Sequence, residues 1–234
     1  MKTILICGSS GGLGTEITKF FGDKEFDLAL HYYDHPPEFI PSGAKTYKAD
    51  LRNEGEIMKM IDQINTDLGG VDIVIHNAGI SKSEISWKVT SENWDDTIAI
   101  NLSGPFWVTK YVLPHMRENN FGRVIFMSSI VAQTGSIGAA AYGASKAGLI
   151  GLTKTLSKEL ANKSITVNSI ALGYFNTGMI NDVPDEMRDK LLEEIPLNEL
   201  GDPLQLASLM EYIISDKAAY LTGQTLNLNG GLYS

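Results

Sequence analysis

Apolar positions along the chain follow two rhythms. Short, nearly continuous apolar runs at Thr3–Cys7, Asp27–Tyr32, Lys45–Lys48, Val71–His76, Arg123–Met127, Thr166–Ala171 and Thr225–Leu228 predict strands, several of them buried on both faces. Between them, segments of helical period predict helices at Gly12–Phe21, Glu54–Leu68, Glu92–Glu118, Tyr142–Ala161 and Leu204–Ile214. Strand and helix in alternation predict an α/β fold, a parallel sheet of about seven strands with helices on both faces. The rhythm fails once. Asp34-His35-Pro36-Pro37-Glu38-Phe39-Ile40-Pro41-Ser42-Gly43 carries three prolines in ten residues, so the connection between the second and third strands is expected to hold no helix.

No repeat, low-complexity tract or linker interrupts the 234 residues, so residues 1–234 read as one domain. With 43% apolar and 20% charged residues the chain is expected to bury a full core. Nineteen basic against 28 acidic side chains give a net charge of −9, which argues against nucleic acid or an anionic membrane as partner. A single cysteine, Cys7, forms no internal disulfide and suits a reducing compartment. The apolar run before Gly8 is too short for a secretory leader, and no stretch has the length of a membrane span, so a cytoplasmic location is expected. No metal site is expected.

Three groups of residues carry chemistry. Gly8-Ser9-Ser10-Gly11-Gly12-Leu13-Gly14 joins the first strand to the first helix, where glycines allow a tight turn and let the backbone approach a pyrophosphate at the helix N-terminus. Asn77-Ala78-Gly79 leaves the fourth strand beside that loop, where Asn77 can fix the loop or contact a cofactor. His76 reads as a satisfied strand-end histidine. The third group is Ser129, Tyr142 and Lys146, with Asn101 upstream. Tyr142 and Lys146 stand four apart near a helix start and share a face, so the ammonium is expected to bring the phenol toward the working pH range. Ser129 follows the fifth strand, and Asn101, an amide inside a long helix, is expected to hold a kink and a water.

On these motifs the chain resembles the short-chain dehydrogenases/reductases, and within them the 3-oxoacyl-[acyl-carrier-protein] reductases. Ser129 lies thirteen residues before Tyr142, and the likeness extends through Asp50-Leu51, Ile165-Thr166-Val167-Asn168, Gly173, Thr177 and Leu221-Thr222-Gly223-Gln224…Asn229-Gly230-Gly231. The resemblance implies a Rossmann-type doubly wound sheet, with Asn101, Ser129, Tyr142 and Lys146 as catalytic residues. It implies a nicotinamide dinucleotide held by Gly8, Ser10, Gly12, Leu13, Gly14, Asp50, Leu51, Asn77, Ala78, Gly79, Tyr142, Lys146, Gly173 and Thr177. Ser129 would orient a carbonyl oxygen, Tyr142 would protonate it, Lys146 would acidify Tyr142 and hold the ribose, and Asn101 would position a water. A substrate cover is expected at about 174–200, lined by Tyr174, Phe175, Met179 and Ile180, with the charged text 185–190 as a solvated helix face. Where the family usually has Pro–Gly the chain has Leu172-Gly173, and Ala139, Ala140 and Ala141 replace familiar polar residues before Tyr142.

The expected function is NAD(P)H-dependent reduction of a 3-oxoacyl thioester, carrier-bound. The alternatives are a small-molecule ketone reductase or secondary alcohol dehydrogenase, and a dinucleotide-binding protein without turnover. Gly11 offers no cation for a 2′-phosphate, and no Lys or Arg occurs between Lys24 and Lys45, whereas Asp34 lies twenty residues after Gly14. The reading therefore leans to NAD(H) over NADP(H), with His31 and His35 as the remaining groups near a phosphate. An acidic acyl carrier protein would meet Arg117, Arg123 and Lys163, with Lys110 further off. Ala144, Gly148 and Gly151 on one helix, and Phe106, Val108, Tyr111 and Val112 on another, are expected to leave a surface that invites a partner, and the resemblance implies a homotetramer of two-fold symmetry. Trp87, Trp94 and Trp107 read as packing residues.

Overall fold

In the computed structural model, β1 (Lys2–Cys7) lies inside the sheet, paired in parallel with β2 (Phe26–Tyr32) on one side and β4 (Ile73–His76) on the other. The backbone of residues 1–234 is described, with every side chain except those of Asp182, Asp185 and Met187. β3 (Lys45–Lys48), β5 (Gly122–Ser129), β6 (Ile165–Leu172) and β7 (Thr225–Leu228) complete a seven-stranded parallel sheet in the order β3-β2-β1-β4-β5-β6-β7. Strand order reverses between β1 and β4. This is the doubly wound, Rossmann-type arrangement, whose ligand crevice lies beyond the carboxyl ends of the strands at that switch point.

Alternation along each strand builds two cores. Leu5 and Cys7 of β1 face one layer, formed with α2 (Glu54–Leu68), α4 (Gly104–Glu118) and α6 (Ala140–Leu160), while Ile4 and Ile6 face the other, formed with α1 (Gly12–Gly22) and α8 (Pro203–Ile214). Local chemistry sets the helix ends. Asn53 caps α2 by accepting from the N–H groups of Gly55 and Glu56, and Gly69, at φ +81°, closes it in the left-handed region. Asp202 caps α8 ahead of Pro203, its carboxylate accepting from Leu204 N–H.

The proline segment between β2 and β3 contains no helix, as its composition predicts. It runs over the end of α1 instead, where a Cβ on Gly22 would lie 2.6 Å from Pro41 Cγ. The predicted helix at 92–118 is interrupted: α3 (Ser91–Ile98) passes through a π turn at Ala99–Ser103 into α4. The π turn is centred on Asn101. Two further helices, α5 (Val131–Thr134) and α7 (Asp185–Glu194), were not predicted as elements, although α7 carries the charged text read as a helix face. Two of the three tryptophans correct their reading. Trp87 is 81% exposed and Trp94 41%, and only Trp107 packs against a core. Trp87 sits on a loop and Trp94 on the outer side of α3, so hydrophobicity without a buried period does not place them inside.

Candidate active site

The glycine loop is held from three sides. Gly8, at φ +77°, donates its N–H to His31 of β2, and a Cβ there would stand 2.7 Å from Ala78 Cα. Ala78 N–H bonds to Cys7 O at 2.8 Å, and the Asn77 amide donates to Gly8 O at 2.9 Å, so Asn77 fixes the loop. A Cβ on Gly14 would collide with Gly8 O. His31 is buried with both ring nitrogens used: Nδ1 accepts from Gly8 N–H and Nε2 donates to Ala49 O. Burial lowers its pKa to about 4, so it is a neutral clamp and is not available to a phosphate, contrary to the sequence reading.

These residues fit a dinucleotide. Gly11 caps α1 without a side-chain bond, leaving the first turn's N–H groups for an anion. Thr177 and Gly178 cross directly over Gly12, whose Cβ would lie 2.5 Å from Gly178 N, so the glycine loop and the segment after β6 face each other. Ser10 stands exposed at the loop tip and Leu13 is half-buried behind it. Asp34 is exposed just beyond β2. Leu51 is buried against Gly104, and Asp50 is bound by Arg52. Gly173 abuts Asn229, 2.7 Å from where its Cβ would be, which accounts for glycine after Leu172.

The four expected catalytic residues converge beyond β4 and β5. Lys146, 4% exposed, donates from Nζ to Met127 O at 2.7 Å and lies 5.7 Å from the centre of the Tyr142 ring. Burial lowers its pKa to about 8. Tyr142 is raised, chiefly by its own burial, against the opposing hydrogen bond of Ser129. This corrects the expectation of a phenol lowered by Lys146: the ammonium is spent on Met127 O, and desolvation dominates. Ser129 Oγ accepts from Val131 N–H at 3.2 Å.

Asn101 is fully buried. Its Oδ1 accepts from Ile80 N–H, and its Nδ2 donates to Ile80 O and to Ser145 Oγ, which in turn donates to Tyr142 O. The kink expected at Asn101 is present as the π turn, while the side-chain amide is committed to protein partners. Gly79 runs between, a Cβ on it lying 3.3 Å from both Asn101 Oδ1 and Lys146 Nζ. His76 is neutral, its Nε2 donating to Thr109 Oγ1 and its pKa lowered by burial to about 3, as a satisfied strand-end histidine should be. The Cys7 thiol, pushed up to about 12 by burial, is inert.

Outside this centre, three readings change. Arg123 is 3% exposed, its guanidinium donating to Gly122 O and Ser164 O and stacked over Phe121, so it offers no docking cation. Phe175 belongs to the core shared with α8 and Ile180 is buried, so neither is a lining residue, whereas Tyr174 is half-buried and Met179 exposed. The segment between β6 and α8 is tied at its base: Gly201 N–H bonds to Tyr174 O, and Asn176 N–H to Gly201 O. Arg52, which the sequence reading passed over, reaches the end of β2 and bonds to Tyr33 OH. Its spacing gives no hint of this, because β3 brings it there from nineteen residues away. Among the described residues no cluster of three His, Cys, Asp or Glu side chains could hold a metal, and no helix is long and apolar enough to cross a membrane.

A family model described as Enoyl-(Acyl carrier protein) reductase matches residues 8–233, and the chain belongs to the short-chain dehydrogenase/reductase family. It is an NAD(P)-dependent oxidoreductase of the kind that interconverts a carbinol and a ketone. Among curated relatives, it is 36% identical over 241 residues to a 3-oxoacyl-[acyl-carrier-protein] reductase FabG of Staphylococcus epidermidis, with 99% of each chain covered. It is 38% identical to nodulation protein G of Azospirillum brasilense, over 99% of this chain and 98% of that one. The FabG of Vibrio cholerae is 35% identical, over 99% and 97%.

Proposed function

We propose that the protein reduces a 3-oxoacyl thioester to the 3-hydroxyacyl thioester, with Ser129, Tyr142, Lys146 and Asn101 as its catalytic residues. The observation that carries this reading is the meeting of the Ser129 hydroxyl, the Tyr142 phenol and the buried Lys146 ammonium at the carboxyl ends of the central strands. The relatives' printed activities supply the substrate class. The cofactor, when bound, supplies hydride to the carbonyl carbon. Ser129 accepts from Val131 N–H and turns its own proton toward the Tyr142 oxygen, from where it can donate to a substrate oxygen placed between the two. Tyr142, held protonated by its burial, delivers the proton that the developing alkoxide takes. Lys146, poised near neutrality, returns a proton to Tyr142 and binds the ribose. The Asn101 amide is committed to Ile80 and Ser145, so in this reading Asn101 acts by holding the π turn and the loop of Gly79 and Ile80 beside Lys146.

Residues 174–200 act as the substrate cover in this reading, and NAD(H) is placed ahead of NADP(H). Of the residues expected on a partner surface, Gly148 packs against Leu102 and Val108 and Val112 lie in the core, so a homotetramer is supported by exposed Ala144, Ala147 and Gly151 along α6, with open space beside Gly151; a monomer by light scattering would refute it. We place the enzyme in the cytoplasm. A second reading, reduction of a small free ketone, is favoured by one observation: burial of Arg123 leaves Arg117 and Lys163 as the cations for an acyl carrier, and Lys163 bonds Asn120. Side-by-side turnover of an acetoacetyl thioester and simple ketones separates the two. Faster turnover of the thioester supports the first reading, and turnover of ketones alone supports the second.

A further inference from the structure

The end of the crevice beneath β2 and β3 holds an ion-pair cluster that the catalytic account does not use. Arg52 Nε and Nη2 grip both carboxylate oxygens of Asp50 at 2.7–3.0 Å, Nη1 donates to Asp96 Oδ1 at 3.1 Å, and Nη2 donates to Tyr33 OH at 3.0 Å. Lys82 holds the other oxygen of Asp96 at 3.2 Å. Four of the five guanidinium N–H groups are therefore occupied. Tyr33 follows β2 directly, nineteen residues after Gly14, at the place where a dinucleotide on the glycine loop presents its adenosine ribose. The three elements share no sequence neighbourhood: Asp50 and Arg52 follow β3, Asp96 lies on α3, and Lys82 lies on the loop after β4.

We propose that Asp96, by holding Arg52 against Asp50, fixes the adenosine end of the site for a free ribose 2′-hydroxyl and keeps Arg52 from serving a 2′-phosphate. This rests on the dinucleotide reading above, and it names residues that set the choice between the two cofactors. The charge count within the cluster supports it. Two cations, Arg52 and Lys82, already face two carboxylates, Asp50 and Asp96, and the Glu56 carboxylate accepts from Asp50 N–H at 2.8 Å, so a phosphate of nearly two negative charges meets a cluster whose two cations are both paired. The Arg52 hydrogen bonds hold the Asp50 carboxyl below the usual range, so that carboxylate stays charged at any working pH. Tyr33 OH accepts from Arg52 and keeps its own proton, a donor suited to a ribose hydroxyl.

The test is titration of the purified protein with NADH and with NADPH, followed by the fluorescence of the reduced nicotinamide, so the readout is binding and not turnover. Asp96→Asn keeps a hydrogen-bonding side chain beside Arg52 but removes its charge. It is expected to shift the ratio of NADH to NADPH affinity about fivefold toward NADPH, the scale of one partly exposed charge pair. Arg52→Leu is expected to weaken NADPH further, because Asp50 and Asp96 are left uncompensated. The proposal is overturned if Asp96→Asn leaves the NADH to NADPH ratio unchanged. It is equally overturned if the wild type prefers NADPH by tenfold or more and Arg52→Leu abolishes that preference, since Arg52 would then be the phosphate's own ligand. A protein that binds NADH and reduces no thioester would refute the substrate reading and leave this one standing. Failure of the wild type to bind either nucleotide would overturn both the dinucleotide reading and this inference.

Discussion

Beyond β4 and β5, Lys146 is 4% exposed and its ammonium bonds to a main-chain oxygen, whereas beyond β2 and β3 Arg52 is 35% exposed and gripped by two carboxylates. The two cations stand at opposite ends of one crevice under opposite physics. Desolvation lowers the Lys146 pKa to about 8, so its proton is easily moved. Carboxylate hydrogen bonds raise the Arg52 pKa, so its charge is fixed. A buried cation without a counter-ion opposes folding and is suited to proton transfer; an exposed, neutralised one costs little and is suited to recognition. In the proposed reading, chemistry and cofactor choice reside in separate parts of the cleft and can be altered separately.

The largest expected effect lies at the buried end. Tyr142→Phe should cut turnover by about 10²–10⁴ with nucleotide affinity unchanged, since only the acid is lost. Parallel measurement of kcat and of NADH binding checks it, and near-full activity would show that another group delivers the proton. Arg123→Glu places a carboxylate against the carbonyls of Gly122 and Ser164, and is expected to destabilise by about 3–5 kcal/mol in denaturant unfolding. A variant of unchanged stability would restore Arg123 as a surface cation.

Lys146→Met should abolish most activity yet stabilise the fold by about 2 kcal/mol at neutral pH. The shift from 10.5 to about 8 corresponds to about 3 kcal/mol, less roughly 1 kcal/mol for the lost bond to Met127 O. The sign follows from proton counting. Between pH 8 and 10.5 the unfolded chain keeps the Lys146 proton and the folded chain has lost it, so wild-type stability rises with pH across that window. The variant's advantage should therefore be greatest below pH 8 and shrink toward 10.5 in paired melts. An advantage independent of pH would mean that Lys146 is not held by desolvation.

Much of this arrangement was legible in the sequence because it rests on local signals. Apolar runs marked the strands, three prolines marked the missing helix, and the glycine loop and the Tyr142–Lys146 spacing lay within single elements. Asn101 was legible for a similar reason: an amide inside a helical period implied a break, and the π turn supplies it. What stayed hidden depends on contacts between distant segments. Arg52 meets Tyr33 and Asp96 only because β3 lies beside β2 and α3 brings the Asp96 side chain to the loop after β3. Arg123 resembles any surface cation until β6 brings Ser164 O to it. The direction of the Tyr142 shift depends on how much water the fold excludes, which residue spacing does not report.

The smallest expected effect lies at the rim. Lys163, bonded to Asn120 at the surface, should on substitution by Glu raise KM for a carrier-bound 3-oxoacyl thioester a few-fold and leave a short thioester unaffected, because rim charges act on encounter. Equal effects on both substrates would mean that no carrier approaches there.

The central claim is that the buried end of the crevice reduces a 3-oxoacyl thioester. Its most direct test is to follow loss of nicotinamide absorbance when the wild-type protein meets an acetoacetyl thioester, with NADH and NADPH each supplied in turn and the product identified by mass. The account predicts steady consumption, one 3-hydroxyacyl thioester per reduced nicotinamide, with NADH the better cofactor. Tight nucleotide binding with no thioester consumed under either cofactor would contradict it.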